Sequence, residues 1–439
     1  MDAFYQFIKN INQVVWGLPM ILLLLGTHAF YTIKLRFIQR FTFRGIRLSL
    51  QKDDSKEGEV SSFASLATIL AATLGTGNII GVSTAVALGG PGAIFWCWIT
   101  GIFGMATSYA ECYLSIKFRK KTPNGNYVGG PMYVLEQGLH SKGLAIIFSL
   151  CTLAASFGVG CTTQANSITA TTSSTWNLSP STVGFITAII CGLVIVGGVK
   201  SISTVCTRLV PAMGFFYIIS CFIILIINRD FLLQAINLIV SSAFSSHAAT
   251  GGFIGSTIII AARQGVAKGL FTNEAGLGSA AIAAASAKTE DPSRQALVSM
   301  TATFWDTVVM CAITGLVIVS NILHYPNSTA GLSNAELTTA AFTVIPFGKV
   351  LLSFSLIAFA IATLIGWSFF GESAAYYLFG DKGIPIYKVF YIVMIYVGAV
   401  LSLDLVWELS DLVNAIMAFP NLIALLLLYK LVPKYTKKT

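Results

Sequence analysis

The feature that most constrains this chain is a series of long apolar runs spread over its whole length. Eleven runs stand out, at about 14–33, 63–88, 91–116, 143–170, 181–199, 209–228, 267–287, 295–323, 346–379, 385–403 and 405–430. A helix needs roughly 20 apolar residues to cross a bilayer. Only 10% of the residues are charged, against about a quarter in soluble domains. The sequence predicts an all-α polytopic membrane protein with eleven transmembrane helices in a lipid bilayer.

The positive charges test this count, because cytoplasmic loops carry an excess of lysine and arginine. If the N-terminus lies outside and the runs alternate, 22 of the 27 basic residues fall on the inner side. The exceptions are Lys9, Arg229, Arg263, Lys268 and Lys349. The sequence therefore predicts an outer N-terminus and a cytoplasmic C-terminus. Orientation also accounts for the net charge of +9, so no nucleic-acid partner is expected.

Two less apolar stretches are not predicted to cross the membrane. The segment 231–262 has the pattern of an amphipathic helix followed by a Gly/Ser-rich apolar piece. The segment 127–140 has the pattern of a loop and a short interfacial helix.

Two of the predicted spanning segments are interrupted by glycine near their middle. The second run contains GTGN at 75–78, and the seventh contains FTNEAG at 271–276. Each glycine weakens a helix by about 1 kcal/mol, and unwound backbone at that depth must line a buried or water-filled cavity. The N–H groups at a half-helix start suit a carboxylate, and unwound carbonyls suit Na⁺. The pair predicts a transporter's binding site, whereas close packing through small residues is the alternative for either break alone.

The placement of the two breaks indicates an internal repeat. After the first run, the other ten divide into five and five, and each half opens with a broken helix. An odd number of crossings gives the halves opposite orientation, as in the inverted repeats of secondary transporters. We predict an N-terminal anchor helix with a basic linker, two five-helix repeats and a cytoplasmic tail, at 1–62, 63–230, 231–430 and 431–439.

Five stretches spread over the whole chain carry a family resemblance. They are GTGNIIGVSTAVALGGPGAIFWCWITGIFGMATSYAE at 75–111, GGPMYVLEQGL at 129–139, GLFTNEAGLGSAAIAAA at 269–285, LIGWSFFGE at 364–372 and DLVNAIMAFPNLIALLLL at 411–428. They resemble the sodium:alanine (alanine or glycine:cation) symporters of prokaryotes. The resemblance implies the leucine-transporter fold, with five plus five helices and an extra N-terminal helix, in a plasma membrane. It also implies uptake of a small neutral amino acid, alanine or glycine, coupled to Na⁺ by alternating access, with no further cofactor.

The resemblance implies roles for individual residues. The substrate-binding set is Gly75, Thr76, Gly77, Asn78, Gln164, Phe271, Thr272, Asn273, Gly276 and Trp367, and the sodium set is Thr363, Ser368 and Gly77. The first break and the Thr76 hydroxyl would surround the substrate carboxylate and a cation. Phe271 would close over the substrate, and Asn273 or nearby carbonyls would hold its ammonium. Trp367 would limit side-chain size, and Gln164 has two interpretations, an interhelical hydrogen bond or a substrate contact.

Several acidic residues in the apolar runs need an explanation, because buried carboxylates are costly unless they are paired. For Glu274 we favour a cap on the following half-helix over an ammonium or cation ligand. Glu111 is predicted to pair or cap near the inner basic cluster. Asp306 is predicted to be a structural hydrogen-bond hub rather than a proton or cation site. An outer vestibule is predicted to be lined by three acids on one face of the last helix, Asp404, Glu408 and Asp411.

Other functions fit the sequence less well. No P-loop, HExxH or GxSxG motif is present, so we do not expect an enzyme. The eight cysteines form no CxxC or Cys/His cluster, so we expect neither a disulfide framework nor a zinc site. A Na⁺- or H⁺-coupled glutamine or serine carrier is the nearer alternative, because one similar branch prefers glutamine. A cation channel is more distant, because the chain has no repeated filter sequence and no arginine-rich voltage helix.

Overall fold

The computed structural model describes residues 2–51, 55, 57–244, 258–329, 331–332, 336–401 and 404–435. Within these ranges the protein is almost entirely helical. The described strands, Lys120–Lys121 and Tyr127–Val128, form one antiparallel hairpin that pairs Lys120 with Val128.

The α-helices follow one another with short connections. In the first half they are Asp2–Val15, Leu18–Lys34, Thr42–Ser49, Ser62–Thr73, Ile80–Gly89, Gly92–Lys117, Pro131–Tyr133, Lys142–Phe157, Thr163–Trp176, Pro180–Val196, Gly198–Ile227 and Arg229–Ser242. In the second half they are Ile258–Asn273, Ser279–Ala284, Pro292–Ser299, Thr301–Thr303, Ala312–His324, Pro326–Thr329, Glu336–Phe342, Gly348–Phe379, Gly383–Val400 and Asp404–Leu427. The π-helical segments are Val134–Gly138, Gly158–Thr162 and Phe304–Cys311, and the 3-10 turns are Ile38–Phe41, Thr76–Asn78, Gly380–Lys382 and Tyr429–Leu431.

Each of the eleven predicted apolar runs overlaps one or more of these helices. In the described part of the chain, six helical stretches are long and apolar enough to cross a bilayer. The number is eight if two bent pairs each form one span, Leu18–Lys34 with Ile38–Ser49 and Ser62–Thr73 with Thr76–Gly89. The polytopic helical architecture is confirmed, and the count of eleven stays a prediction.

Several boundaries differ from the predicted ones. Helix Ile258–Asn273 begins before the predicted start at 267. Its charged residues Arg263 and Lys268 line a cavity, so the helix can contain them without placing them in lipid. Asp2–Val15 is a helix that the apolar pattern did not indicate. Helix Arg229–Ser242 matches the predicted amphipathic segment, whereas 245–257 lies outside the described residues.

The long helix Gly348–Phe379 lies at the centre of the molecule. It packs against Ser62–Thr73, Lys142–Phe157, Thr163–Trp176 and Gly198–Ile227. Residues four apart on a helix share a face, so Thr363 and Trp367 both point from this central helix in one direction. This helix therefore presents two of the predicted site residues together.

The first break, residues 74–79, lies where the glycines predict it. Helix Ser62–Thr73 begins with a cap, in which Ser61 Oγ accepts from Ala64 N at 3.1 Å. It stops before the break, and the chain then turns by 61° into the next half-helix. The second run is thus a broken helix, as predicted.

The second break, residues 274–278, interrupts the seventh run. Three of its residues have left-handed backbone, with φ of 54° at Glu274, 90° at Gly276 and 87° at Gly278. Glycine adopts such angles without steric cost, whereas a glutamate there is uncommon. The second break is therefore a sharper departure from helix than the first.

A short pairing joins the segments that flank the two broken helices on one side of the molecule. Residues 57–60 run beside 286–289 as a parallel bridge, in which Lys288 N donates to Val60 O at 2.7 Å and Thr289 N to Glu57 O at 2.9 Å. Arg119 donates to Ala287 O at 2.8 Å and to Thr289 O at 2.5 Å. We call residues 57–60, 286–289 and Arg119 the clasp.

Candidate transport site

In the first break, one asparagine organises the unwound turn. Asn78 Oδ1 accepts from Gly75 N at 3.0 Å, and Thr76 Oγ1 donates to Gln164 Oε1 at 3.3 Å. The side chains of Thr76, Asn78 and Gln164 are buried. The break is therefore ordered and enclosed by protein, as unwound backbone at membrane depth must be.

The second break is held in part by residues from other helices. Asn273 Oδ1 accepts from Ala275 N at 2.9 Å. Gly276 N donates to Glu111 Oε2 at 3.2 Å, and Gly276 O accepts from Asn421 Nδ2 at 2.9 Å. Glu111 therefore binds the second break, and the prediction that it pairs near the inner basic cluster is wrong. Its position well inside helix Gly92–Lys117 directs it into the core.

The two breaks meet at Gly77. A Cβ on Gly77 would lie 2.8 Å from Thr272 Cγ2 and 3.2 Å from Phe271 Cδ1. Real side chains do not tolerate such a distance without movement, so this position needs glycine. Gly77, Phe271 and Thr272 thus lie together, as the resemblance implies.

Asp306 connects the two breaks. Its Oδ1 accepts from Asn78 Nδ2 at 2.6 Å, and its Oδ2 accepts from Thr307 Oγ1 at 2.7 Å. Asn273 Nδ2 donates to the same Thr307 hydroxyl at 3.1 Å. Asp306 is fully buried in the π-helical segment Phe304–Cys311, and such segments often occur at functional sites. The predicted hydrogen-bond hub is confirmed.

These bonds limit what the two asparagines can do. Both ends of each amide have a protein partner, since Asn78 binds Gly75 and Asp306 while Asn273 binds Ala275 and Thr307. The Asn273 side chain is therefore a poor candidate for the substrate ammonium. Of the two alternatives given for that role, the nearby carbonyls fit the geometry better.

Thr363 lies against the first break. Its Oγ1 is 3.5 Å from Leu74 O and 3.1 Å from Phe359 O, and a Cβ on Gly75 would lie 2.7 Å from it. A hydroxyl beside an unwound carbonyl is a suitable partial site for Na⁺, which prefers hard oxygen ligands.

Ser368 does not join Thr363. Five residues separate them, which places their side chains about 140° apart around the helix. The Ser368 hydroxyl donates to Ile365 O of its own helix at 2.7 Å. The geometry therefore contradicts the pairing of Ser368 with Thr363 in one sodium site.

Trp367 is fully buried beside both halves of the site. Its Nε1 donates to Glu274 Oε1 at 3.0 Å, and the second oxygen of Glu274 accepts from Ser279 Oγ. A Cβ on Gly160 would lie 2.5 Å from Trp367 Cγ, so the indole packs on bare backbone there. Both Glu274 oxygens accept from side chains, and the prediction that Glu274 caps the following half-helix is wrong.

Gln164 reaches the site from the fourth apolar run. Its Nε2 donates to Val159 O at 3.1 Å, next to the π-helical segment Gly158–Thr162, while its Oε1 accepts from Thr76. The interhelical hydrogen bond that the sequence suggested is present. The contact with Thr76 also places the Gln164 amide at the first break.

Two cavities are lined by residues that neighbour the second break in the chain, Phe271 before it and Ile282 after it. One, of about 400 Å³, ends at Phe271 and is lined by Lys9, Trp16, Arg263, Lys268, Glu408 and Asp411. Glu408 and Asp411 thus line a cavity as predicted, whereas the Asp404 side chain lies outside the described part of the chain.

The other cavity has a volume of about 270 Å³ and is lined in part by a residue that follows the second break in the chain. It is bordered by Ile282 and Phe369 and contains the acids Glu59 and Glu372. Burial raises the pKa of the Glu59 carboxyl above its ordinary value, against the lowering effect of its bond from Tyr127 N.

Sequence reasoning missed two residues of the site and gave a third, Glu111, the wrong partner. Asn421 holds the second break together with Glu111, and Gly160 supports Trp367. A signal existed for Asn421, which is an amide inside an otherwise apolar run.

Comparison with known proteins agrees with this geometry. The model of the sodium:alanine symporter family matches residues 1–438. The chain is 46% identical to the sodium/alanine symporter AgcS of Methanococcus maripaludis over 99% of this chain and 97% of that protein. It is 35% identical to the probable sodium/glutamine symporter GlnT of Bacillus subtilis, over 96% of this chain and 87% of that protein.

Solved structures show the same fold at low sequence identity. MhsT in complex with L-phenylalanine aligns with a TM-score of 0.61 and 14% identity, over 85% of this chain and 90% of that one. A Na⁺-coupled sialic acid symporter aligns with a TM-score of 0.57 and 12% identity, over 96% and 100%. The chain, whose fold is that of these transporters, belongs to the sodium:alanine symporter family.

Proposed function

We propose that this chain imports alanine or glycine together with Na⁺ by alternating access. The observation that carries the proposal is the direct contact of two broken helices, in which Gly77 lies against Phe271 and Thr272. Unwound backbone offers N–H groups for a carboxylate and carbonyls for an ammonium or a cation. Phe271 also lines the cavity of about 400 Å³, which would give one approach to this contact.

The substrate carboxylate binds at the first break in this proposal, beside the Thr76 hydroxyl and the backbone of 75–77. Its ammonium faces carbonyls near Gly276. Phe271 covers the substrate from the cavity of about 400 Å³, whose lining it joins. Large rings at Phe271 and Trp367 leave space for a short side chain, and a longer one would overpack a rigid site by about 1–3 kcal/mol.

For the coupling ion, we propose a site at the first break. Thr363 Oγ1 and the Leu74 carbonyl already lie 3.5 Å apart, and the Gly77 carbonyl is a further oxygen of the same turn. A small inward movement of these groups would surround a monovalent cation. Ser368 is left out of this site, because its side chain lies about 140° around the helix from that of Thr363.

A glutamine carrier is the second candidate. One observation favours it: the amide of Gln164 lies at the first break, bound to Thr76 at 3.3 Å, where it would meet the amide of a glutamine substrate. The similarity to GlnT points the same way. A site that pairs with a substrate amide discriminates strongly against analogues without one.

The experiment that tests the proposal measures uptake into proteoliposomes. Vesicles prepared without Na⁺ should accumulate labelled alanine or glycine when Na⁺ is added outside, and unlabelled glutamine should compete poorly. Uptake that ignores the Na⁺ gradient but follows a pH gradient would assign the coupling to H⁺. Currents far faster than carrier turnover would indicate a channel.

We also propose that the protein lies in a prokaryotic plasma membrane with its N-terminus outside, as two five-helix repeats at 63–230 and 231–430. The distribution of lysine and arginine supports this orientation. On a cysteine-free background, an impermeant thiol reagent should label Asn327→Cys from outside but not Lys120→Cys. Labelling of the second position would reverse the orientation.

A further inference from the structure

The pocket wall at Trp367 is held by a glutamate that the proposed transport mechanism does not use. We propose that Glu274 is a positioning residue that sets the size limit for the transported amino acid by fixing the Trp367 indole. This inference rests on the proposed function, because it assumes that Trp367 borders the substrate.

The contacts hold Glu274 from two sides. Its Oε1 accepts from Trp367 Nε1 at 3.0 Å, and its Oε2 accepts from Ser279 Oγ. Glu274 and Trp367 are 3% and 0% exposed, so water does not compete for these bonds. A hydrogen bond in the protein interior is electrostatically stronger than one in water. The carboxylate therefore fixes the direction of the indole N–H.

The rest of the ring is confined by packing. Gly160 leaves no room for a Cβ against Trp367, and the Phe370 ring packs edge-on at a centroid distance of 5.4 Å. The contacts with Gly160 and Phe370 fix where the ring lies, and the bond to Glu274 fixes its rotation about the Trp367 Cβ–Cγ bond and so the direction of its N–H. Without that bond the ring can turn and widen the space beside the substrate.

The backbone of Glu274 supports this assignment. Its φ of 54° lies in the left-handed region, where glycine or asparagine fits with less cost. Strained residues persist where the surrounding structure determines them, and they cluster at functional sites. A side chain long enough to reach the indole accounts for a glutamate at this turn.

The experiment compares two amides at this position. Glu274→Gln keeps an acceptor at the same reach, with its carbonyl toward Trp367 and its amide N–H toward Ser279 Oγ. Glu274→Asn removes the same charge, suits the left-handed backbone and is one methylene too short for the indole. Any difference between the two variants therefore reports the contact with Trp367 rather than the charge.

The measurement is competition against uptake of the substrate that the wild type transports. The readout is the fractional inhibition of this uptake by unlabelled leucine divided by the fractional inhibition by unlabelled glycine, so a higher ratio means better binding of leucine. Glu274→Asn should raise this ratio on the order of tenfold, the effect of a methylene-sized change in a pocket. Glu274→Gln should keep the wild-type ratio. If both variants lose uptake equally and keep the wild-type ratio, Glu274 acts through its charge and the proposal is wrong.

If Glu274→Asn folds poorly, Glu274→Gln alone still tests the proposal, because a changed ratio in that variant would overturn it. Where Glu274→Asn folds, Trp367 offers a second test. Trp367→Phe keeps an aromatic ring and removes the N–H, so it should raise the same ratio. The double variant with Glu274→Asn should then show no further rise, because both changes remove one interaction. Additive effects would overturn the proposal. Failure of the proposed function is separate, since it would appear in the wild type as uptake without Na⁺ dependence.

Discussion

In the first break Asn78 accepts from Gly75 N and donates to Asp306, and in the second Asn273 accepts from Ala275 N and donates to Thr307. An asparagine side chain thus closes the turn in each break. The two asparagines also donate to adjacent residues, Asp306 and Thr307, of one helical segment. The breaks differ in what else holds them. The first keeps to a 3-10 turn, whereas the second passes through left-handed backbone at three residues.

Distant side chains contact both breaks, but they bind different groups. In the second break, the Gly276 N–H and carbonyl are bound by Glu111 and Asn421, side chains of two other helices. The first break instead meets hydroxyls and an amide, those of Thr363 and Gln164, which can exchange partners with a ligand. The comparison teaches that one break is braced for shape while the other presents adaptable groups for binding.

The largest effect on stability is expected when Glu111, which holds the second break, is replaced. Glu111 Oε2 accepts from Gly276 N at 3.2 Å and from Asn421 Nδ2 at 3.0 Å. Glu111→Ala therefore leaves the Gly276 N–H without its acceptor and Asn421 Nδ2 with Gly276 O alone, at a cost of about 1–3 kcal/mol for a buried unpaired group. Glu111→Gln keeps one carbonyl oxygen and should lose less. Thermal unfolding in detergent, followed with a thiol-reactive dye on the largely buried cysteines, measures both. Equal unfolding temperatures for the two variants would contradict the bracing of the second break by Glu111.

A smaller effect is expected where the breaks touch. Gly77→Ala places a methyl group 2.8 Å from Thr272 Cγ2, so the breaks must separate, at about 1–3 kcal/mol of overpacking. We expect uptake to fall about tenfold or more while the protein still folds. Gly81→Ala is the matched control, because a Cβ there meets nothing within 4 Å. Equal initial uptake rates for the two variants, normalised to expression, would show that the breaks do not meet here.

The smallest effect concerns the first break alone. Thr363→Ala removes one hydroxyl of the proposed sodium site and should raise the Na⁺ concentration for half-maximal uptake about tenfold, in line with a hydrogen bond to a charged group. Thr363→Ser keeps the hydroxyl and should behave like the wild type. The rise should be the same with alanine and glycine as substrate. A rise for one substrate only would place Thr363 in the amino-acid pocket instead.

The first break was predictable and the second only in part, for a physical reason. GTGN at 75–78 contains both the glycines that unwind the helix and the asparagine that ties the turn, so local sequence describes it. The second break is completed by Glu111 and Asn421, whose partners become visible only when distant helices pack. The interpretation of Glu274 failed similarly, because Trp367 lies 93 positions further along the chain.

The long helices were predictable because a bilayer requires continuous apolar length. The start of helix Ile258–Asn273 was placed too late because Arg263 lowers the hydropathy before residue 267, although Arg263 lines a cavity. Hydropathy alone does not distinguish a charged residue facing an aqueous cavity from one at the end of a span.

The clasp has a mechanical consequence. It fastens the chain entering the first broken helix to the chain leaving the second, through backbone hydrogen bonds and the Arg119 guanidinium. The ion pair of Arg119 with Glu57 adds little, since Glu57 is half exposed. Because these bonds join the two chain segments directly, we expect the half-helices Ser62–Thr73 and Ser279–Ala284 to keep their relative position if either one moves.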